Sequence, residues 1–352
     1  MNIIVYGDLS EASGGWCYSE TLKEMGHNVL SVGDPDCSGI PATLIRRIFR
    51  RVFRKIPEYQ RLNNIQKLIV ASLNFSPQII IVLKGLHLSP VDVSMLKSIG
   101  AWVCNINHDD FFSQNSNNWS KYQRAAIPEY DYIFTTRKMN VQEVYPLNPN
   151  VEFFSFSYYP KIHKAVDITP NEFEKWSCDV VFVGTFERHR AFFLEYLIKN
   201  LPNIKLAIHG GQWNKLSRSS PLRPYIKSSN LKFDDLCKAL GSAKLCLGFL
   251  RKLNRDDYTQ RTFEIPACGG VLLAERTQHH MEIYSEGLEA EFFDQNSPNE
   301  LCNKVSSLLL NPERLSALKR GGYSALINGK FTYRDRMTRL LEVYSQSFRI
   351  AT

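Results

Sequence analysis

Short apolar runs, each ending in a polar or glycine-bearing loop, recur along both halves of the chain, and this rhythm limits the fold more than any other feature. Asn2-Ile3-Ile4-Val5-Tyr6 opens the series and runs into Gly7; residues 29–32, 79–83, 101–106 and 132–135 continue it. In the second half, residues 179–183 lead into Gly184, residues 206–208 into His209-Gly210-Gly211, and residues 245–250 form another run. The runs are brief, unbroken and rich in Val, Ile and Leu, as expected of strands buried on both faces of a parallel sheet. The stretches between them are long enough for helices. Strand–helix alternation predicts a doubly wound α/β sheet, with functional loops at the carboxyl ends of the strands. At 352 residues the chain exceeds one ordinary core and suits two domains.

No apolar run reaches the length of a membrane-spanning helix. The opening strand carries no charged leader or cleavage site, so a cytoplasmic protein is expected. Eight cysteines are scattered at 17, 37, 104, 178, 237, 246, 268 and 302 without a C-x-x-C pair. That spacing predicts buried free thiols in a reducing compartment and no zinc site.

Residues 254–275 read NRDDYTQRTFEIPACGGVLLAE: a charged loop, one short helix, a Gly-Gly break, then an apolar strand. Arg261 and Glu264 are three apart and share a helix face. That face lies near the helix start, where unpaired N–H groups and the dipole favour an anion. A guanidinium and a carboxylate there suit a diphosphate and the neighbouring diol of a ribose. The bland alternative is an exposed ion pair that contributes little.

This segment resembles the nucleotide-binding half of the two-domain GT-B glycosyltransferases, most closely the CgeB-like, group 1 family, whose signature is close to R-x-F-E-I-P-A-C-G-G. The resemblance is strongest over residues 179–336 and weaker before residue 101. It implies two Rossmann-like, doubly wound domains facing a cleft. The acceptor-side domain would be residues 1–165, with a returning helix at 333–352; residues 166–332 would bind the donor. It also implies transfer of a sugar from a nucleoside diphosphate sugar, most simply a UDP-sugar, with no further cofactor. Carried over, Glu264 is the ribose ligand and Arg261 a phosphate ligand. Asp256, eight residues before Glu264, stands where related retaining enzymes have the first acid of an E-x7-E pair. Because that acid is Asp here, an inverting reaction is the expectation.

Further site residues follow the strand ends. Gly184 precedes a turn into a helix carrying Arg188 and Arg190, a phosphate cradle in similar enzymes, with Arg190 fitting the family pattern better. A solvated basic helix start is the other reading of these arginines. Gly210 and Trp213 are expected to border the base pocket. In the first half, Asn107-His108-Asp109-Asp110 follows a strand and supplies the candidate general base, with Asp110 slightly ahead of Asp109 and His108 beside them. An Asx turn or N-cap explains the same residues structurally. Lys84 lines the acceptor side by resemblance. Gly14-Gly15 is read as either a close backbone approach to an acceptor or a flexible turn. No metal is expected: the single D-x-D, Asp34-Pro35-Asp36, looks like a turn, and the fold usually neutralises diphosphate with arginines.

The net charge of +8 suits an anionic partner. Residues 41–56, PATLIRRIFRRVFRKI, place seven apolar side chains on one helical stripe and six basic ones opposite. Such a helix suits an anionic membrane at its inner face, nucleic-acid phosphates, or simple packing with solvated arginines. Accordingly the acceptor expected from the family is a bacterial surface or spore-coat glycan. The alternatives are a phage-type DNA glycosyltransferase acting on hydroxymethylated bases, and a non-catalytic protein that binds sugar nucleotides or glycans.

Overall fold

The computed structural model describes residues 1–34, 58–113 and 118–349. The basic stretch at residues 41–56, Cys37, and Pro35 and Asp36 of the D-x-D lie outside them. The chain divides into two compact units. The first comprises Met1–Ser155, Leu253–Arg255 and the chain from Tyr333 on; the second comprises Phe156–Lys252 and Asp256–Thr332.

The first unit holds six strands: β1 (Asn2–Gly7), β2 (Asn28–Gly33), β3 (Ile79–Leu83), β4 (Trp102–Asn107), β5 (Tyr132–Thr135) and β6 (Val151–Phe153). All pair in parallel in the order β2-β1-β3-β4-β5-β6, with Ile3 opposite Ile79 and Ile79 opposite Trp102. Every residue of β3 and β4 is buried, so their unbroken apolar runs reflect helices on both faces. Ile4, Tyr6, Ile80, Val82 and Val103 form the centre of one face. Helix Pro90–Ser98 starts at a reciprocal cap, Ser89 bonding the Asp92 N–H and Asp92 bonding back, with Pro90 where no N–H is needed. The last helix, Tyr333–Arg349, packs in this unit: Arg339 bonds Glu152 at 2.8 and 3.1 Å, and Tyr344 meets the Trp102 ring edge-on.

The second unit repeats the design with β7 (Cys178–Val183), β8 (Leu206–His209), β9 (Ile226–Ser228), β10 (Ala243–Gly248), β11 (Leu272–Glu275) and β12 (Glu291–Phe293). Its order is β12-β11-β10-β7-β8-β9, again wholly parallel. Each sheet reverses its winding beside its first strand, between β1 and β3 and between β7 and β10. Loops at the carboxyl ends of those strands are the expected places for ligands.

Two departures from the sequence expectations are of note. The sequence reading leaves Gly14 and Gly15 in a loop, but helix Gly14–Glu24 already contains both, because the Ser13 hydroxyl accepts from the Trp16 N–H and starts the helix there. The short edge strands β6, β9 and β12 are absent from the sequence reading; three residues carry too little pattern to register. The seven described cysteines are buried and unbridged.

Candidate active site

In the second unit, the turn after β7 is gripped at three successive carbonyls. Arg261 Nε reaches Val183 O at 3.3 Å, Trp213 Nε1 donates to Gly184 O at 3.0 Å, and Arg190 Nη1 donates to Thr185 O at 2.9 Å. Gly210, at φ +133°, lies against this turn; a Cβ there would sit 2.1 Å from Gly184 O, so only glycine fits. Thus Gly184, Arg190, Gly210, Trp213 and Arg261 do come together at the carboxyl ends of β7 and β8.

Arg261 and Glu264 begin helix Arg261–Ala267 and pair directly through Nη1 and Oε2. Glu264 is buried, whereas the Arg261 side chain keeps 31% of its surface. Desolvation pulls the Arg261 guanidinium down to about 10, still cationic at neutral pH. The sequence reading counts on unpaired helix N–H groups for an anion. Here the Thr262 N–H goes to Thr259 O, and the Phe263 and Glu264 N–H groups go to Gln260 O, leaving the guanidinium as the anion-seeking group. Asp256 is half-buried, its N–H on Arg251 O at 3.3 Å.

The two arginines of helix Arg188–Asn200 differ in a way opposite to the sequence preference. Arg188 is exposed at the first position. Arg190 is only 4% exposed and is spent on the Thr185 and Phe249 carbonyls; burial lowers its pKa. Between them, His189 Nε2 donates to Glu275 Oε1 at 2.7 Å, and the second carboxylate oxygen takes the Leu250 N–H at 2.6 Å.

In the first unit, His108, Asp109 and Asp110 follow β4 and meet three different fates. The Asp110 carboxylate has no exposed surface; Arg255 contacts both its oxygens, and the Asn140 amide and Phe112 N–H donate to Oδ1. Burial pushes its pKa up, but these donors outweigh it and hold the group below the usual carboxylate range. Asp109 keeps 23% of its side-chain surface and pairs with Lys84 Nζ at 2.6 Å. Lys84 itself sits in a left-handed conformation, φ +61°, just past β3. His108 Nε2 bonds the Tyr18 hydroxyl at 2.9 Å; burial chiefly lowers it to about 4, so it is neutral at pH 7. A Cβ on Gly14 would stand 3.1 Å from the His108 ring, and one on Gly15 only 2.2 Å from Asp8 O. Gly15 is therefore a close-approach residue rather than a flexible turn. His108, Asp109, Lys84, Gly14 and Tyr18 form one cluster; Asp110 belongs to the support beneath it.

Residues 188–342 match a family model described as glycosyl transferase-like. The sucrose-phosphate synthase of Thermosynechococcus elongatus superposes with a TM-score of 0.70 at 12% identity, over 99% of this chain and 100% of that one. The chain has the GT-B fold, and its residues 188–342 resemble glycosyl transferases.

A glycosyltransferase of Rickettsia africae has a TM-score of 0.68 at 14% identity, covering 99% of this chain and 98% of that one. HepE of Anabaena, solved with UDP and glucose, reaches 0.69 at 11%, covering 98% and 100%. No curated protein matches the sequence. Among the described residues of this chain, no helix is long and apolar enough to cross a membrane, and no group of three or more His, Cys, Asp and Glu side chains is arranged for a metal ion.

Two residues beside the proposed chemistry escape the sequence reading. His163, in a loop, lies 3.2 Å from Glu264 Oε1. Arg255, adjacent to Asp256 in sequence, serves Asp110 instead. Neither has a local signal, since each partner is distant along the chain.

Proposed function

We propose that this chain is a glycosyltransferase that takes a UDP-sugar as donor and passes the sugar to an acceptor hydroxyl by a single inverting displacement. The observation that carries the donor reading is the Arg261–Glu264 pair held against the Val183 carbonyl at the end of β7. That is the sheet's switch point, where such folds take nucleotides. HepE has been solved with UDP and with UDP-glucose, which supports the same donor class. In this reading Glu264 accepts the ribose hydroxyls, while Arg261 and the exposed Arg188 neutralise the departing diphosphate without a bound cation. Arg190 holds the turn that presents Gly184, and Gly210 lies against that turn. Asp256 is a further acid on the donor side.

Asp109 is the general base in this reading. It takes the acceptor proton as the hydroxyl oxygen attacks the anomeric carbon and the bond to diphosphate breaks. Asp110, saturated by Arg255 and Asn140, positions the loop; His108 and Lys84 border Asp109, and Gly14 lets the first helix approach His108. The acceptor proposed is a bacterial surface or spore-coat glycan, on the family resemblance, and the compartment the cytoplasm, on the scattered free cysteines.

A thermal-shift screen of nucleotide sugars tests the donor, because a bound ligand raises apparent stability. UDP-sugars are expected to raise the Tm of the wild type and not of Glu264→Ala. Equal shifts in both would remove the pocket assignment. NMR of the product then reads the anomeric configuration, and retention would remove the inverting step.

A further inference from the structure

Glu264 is oriented from two sides within the second unit. Arg261 takes Oε2, and Nε2 of His163 stands 3.2 Å from Oε1. The imidazole is itself fixed: its Nδ1 accepts the Tyr159 N–H at 3.0 Å, and its own backbone N–H returns to Tyr159 O at 2.8 Å. An acceptor role at Nδ1 places the ring proton on Nε2, facing the carboxylate. Both side chains are nearly sealed from solvent, 3% exposed for His163 and 5% for Glu264. Cys237, whose Sγ bonds Ile162 O at 3.1 Å, and Arg261 are the other titratable groups around the ring. Burial first, with Arg261 adding to it, keeps the imidazole neutral down to about pH 4, so the contact is a hydrogen bond and not a charge pair.

We infer that His163 is a positioning residue for nucleotide recognition: its Nε2–H fixes one oxygen of Glu264 so that the carboxylate's remaining lone pairs meet the ribose diol. The inference rests on the proposed donor site. A neutral donor suits this task because it orients the carboxylate without cancelling its charge, which stays available to hydroxyl protons.

Isothermal titration with two probes tests it, UDP and its 2′,3′-dideoxy analogue. The wild type is expected to favour UDP by tenfold or more. Glu264→Gln should reduce that ratio nearly to one. His163→Ala should weaken UDP at least fivefold while leaving the dideoxy analogue unchanged, and His163→Gln, which restores an amide donor near Nε2, should recover part of the ratio. A purely structural histidine would weaken both probes alike, and that result overturns the inference. If His163→Ala alone keeps the wild-type ratio, the inference falls by itself. If Glu264→Gln keeps it too, the donor site falls first. Nitrogen-detected NMR of the unmutated protein supplies a readout independent of variant folding: a neutral Nε2–H tautomer at pH 7 is expected, and an Nδ1–H tautomer or an imidazolium overturns the proposal.

Discussion

The guanidinium of Arg255 grips both oxygens of Asp110, with Nε 2.5 Å from Oδ2 and Nη2 2.6 Å from Oδ1. Its other edge reaches Glu143 at 2.8 and 2.9 Å, so one cation serves two carboxylates of the first unit. Among the described residues, Arg255→Ala leaves the buried Asp110 carboxylate with the Asn140 amide and the Phe112 N–H as donors. A loss of about 2–4 kcal/mol is expected, read as a lower urea midpoint at pH 7. The sign with pH follows from the lowered carboxyl: its stabilisation is present above the unfolded value of roughly 3.9 and is lost as pH falls through the folded value. Wild type and variant should therefore converge in strong acid.

Asp109 and Asp110 are expected to separate chemistry from stability. Asp109→Asn should cut kcat by roughly 10²–10⁴ with Tm little changed, because its carboxylate is part-exposed and its ion pair with Lys84 is part-exposed too. Asp110→Asn should lower Tm first. Full turnover by Asp109→Asn would move the base elsewhere.

Arg188 and Arg190 should also part company. Arg188→Ala removes an exposed guanidinium and is expected to weaken UDP by roughly tenfold, with stability unchanged. Arg190→Ala frees the Thr185 and Phe249 carbonyls and is expected to cost roughly 2 kcal/mol of stability. Titration calorimetry and urea denaturation on both variants read the two quantities.

Four buried histidines should make the fold sensitive to mild acid. His108, His163, His209 and His280 are each lowered to about 4, burial being the first cause in every case. Between there and the unfolded value near 6.5, the unfolded chain binds more protons than the native one. Stability is thus complete above about pH 6.5 and falls as pH drops toward 4, by up to ~1.4 kcal/mol per pH unit for each histidine. Urea midpoints at pH 7, 6 and 5 should decline steadily; a flat series contradicts the assignment.

The longer parallel strands and the doubly wound alternation were legible in the residues alone, because a buried strand declares itself in five or six consecutive apolar side chains. The three-residue edge strands were not. The Arg261–Glu264 face was legible for a related reason: spacing along a helix is local geometry, so two side chains three apart must be neighbours wherever the helix goes. Tertiary structure alone settled which acid stays part-exposed and which arginine is buried. Asp109 and Asp110 are equivalent in one dimension, and only the return of Arg255, 145 residues later, buries and saturates one of them. Likewise only the fold places Arg190 inside, on the Thr185 and Phe249 carbonyls, while Arg188 stays exposed. His163 acquired its partner solely through the path of a loop. Periodicity is written into backbone geometry and survives in the sequence, whereas burial and long-range pairing depend on where distant segments come to rest.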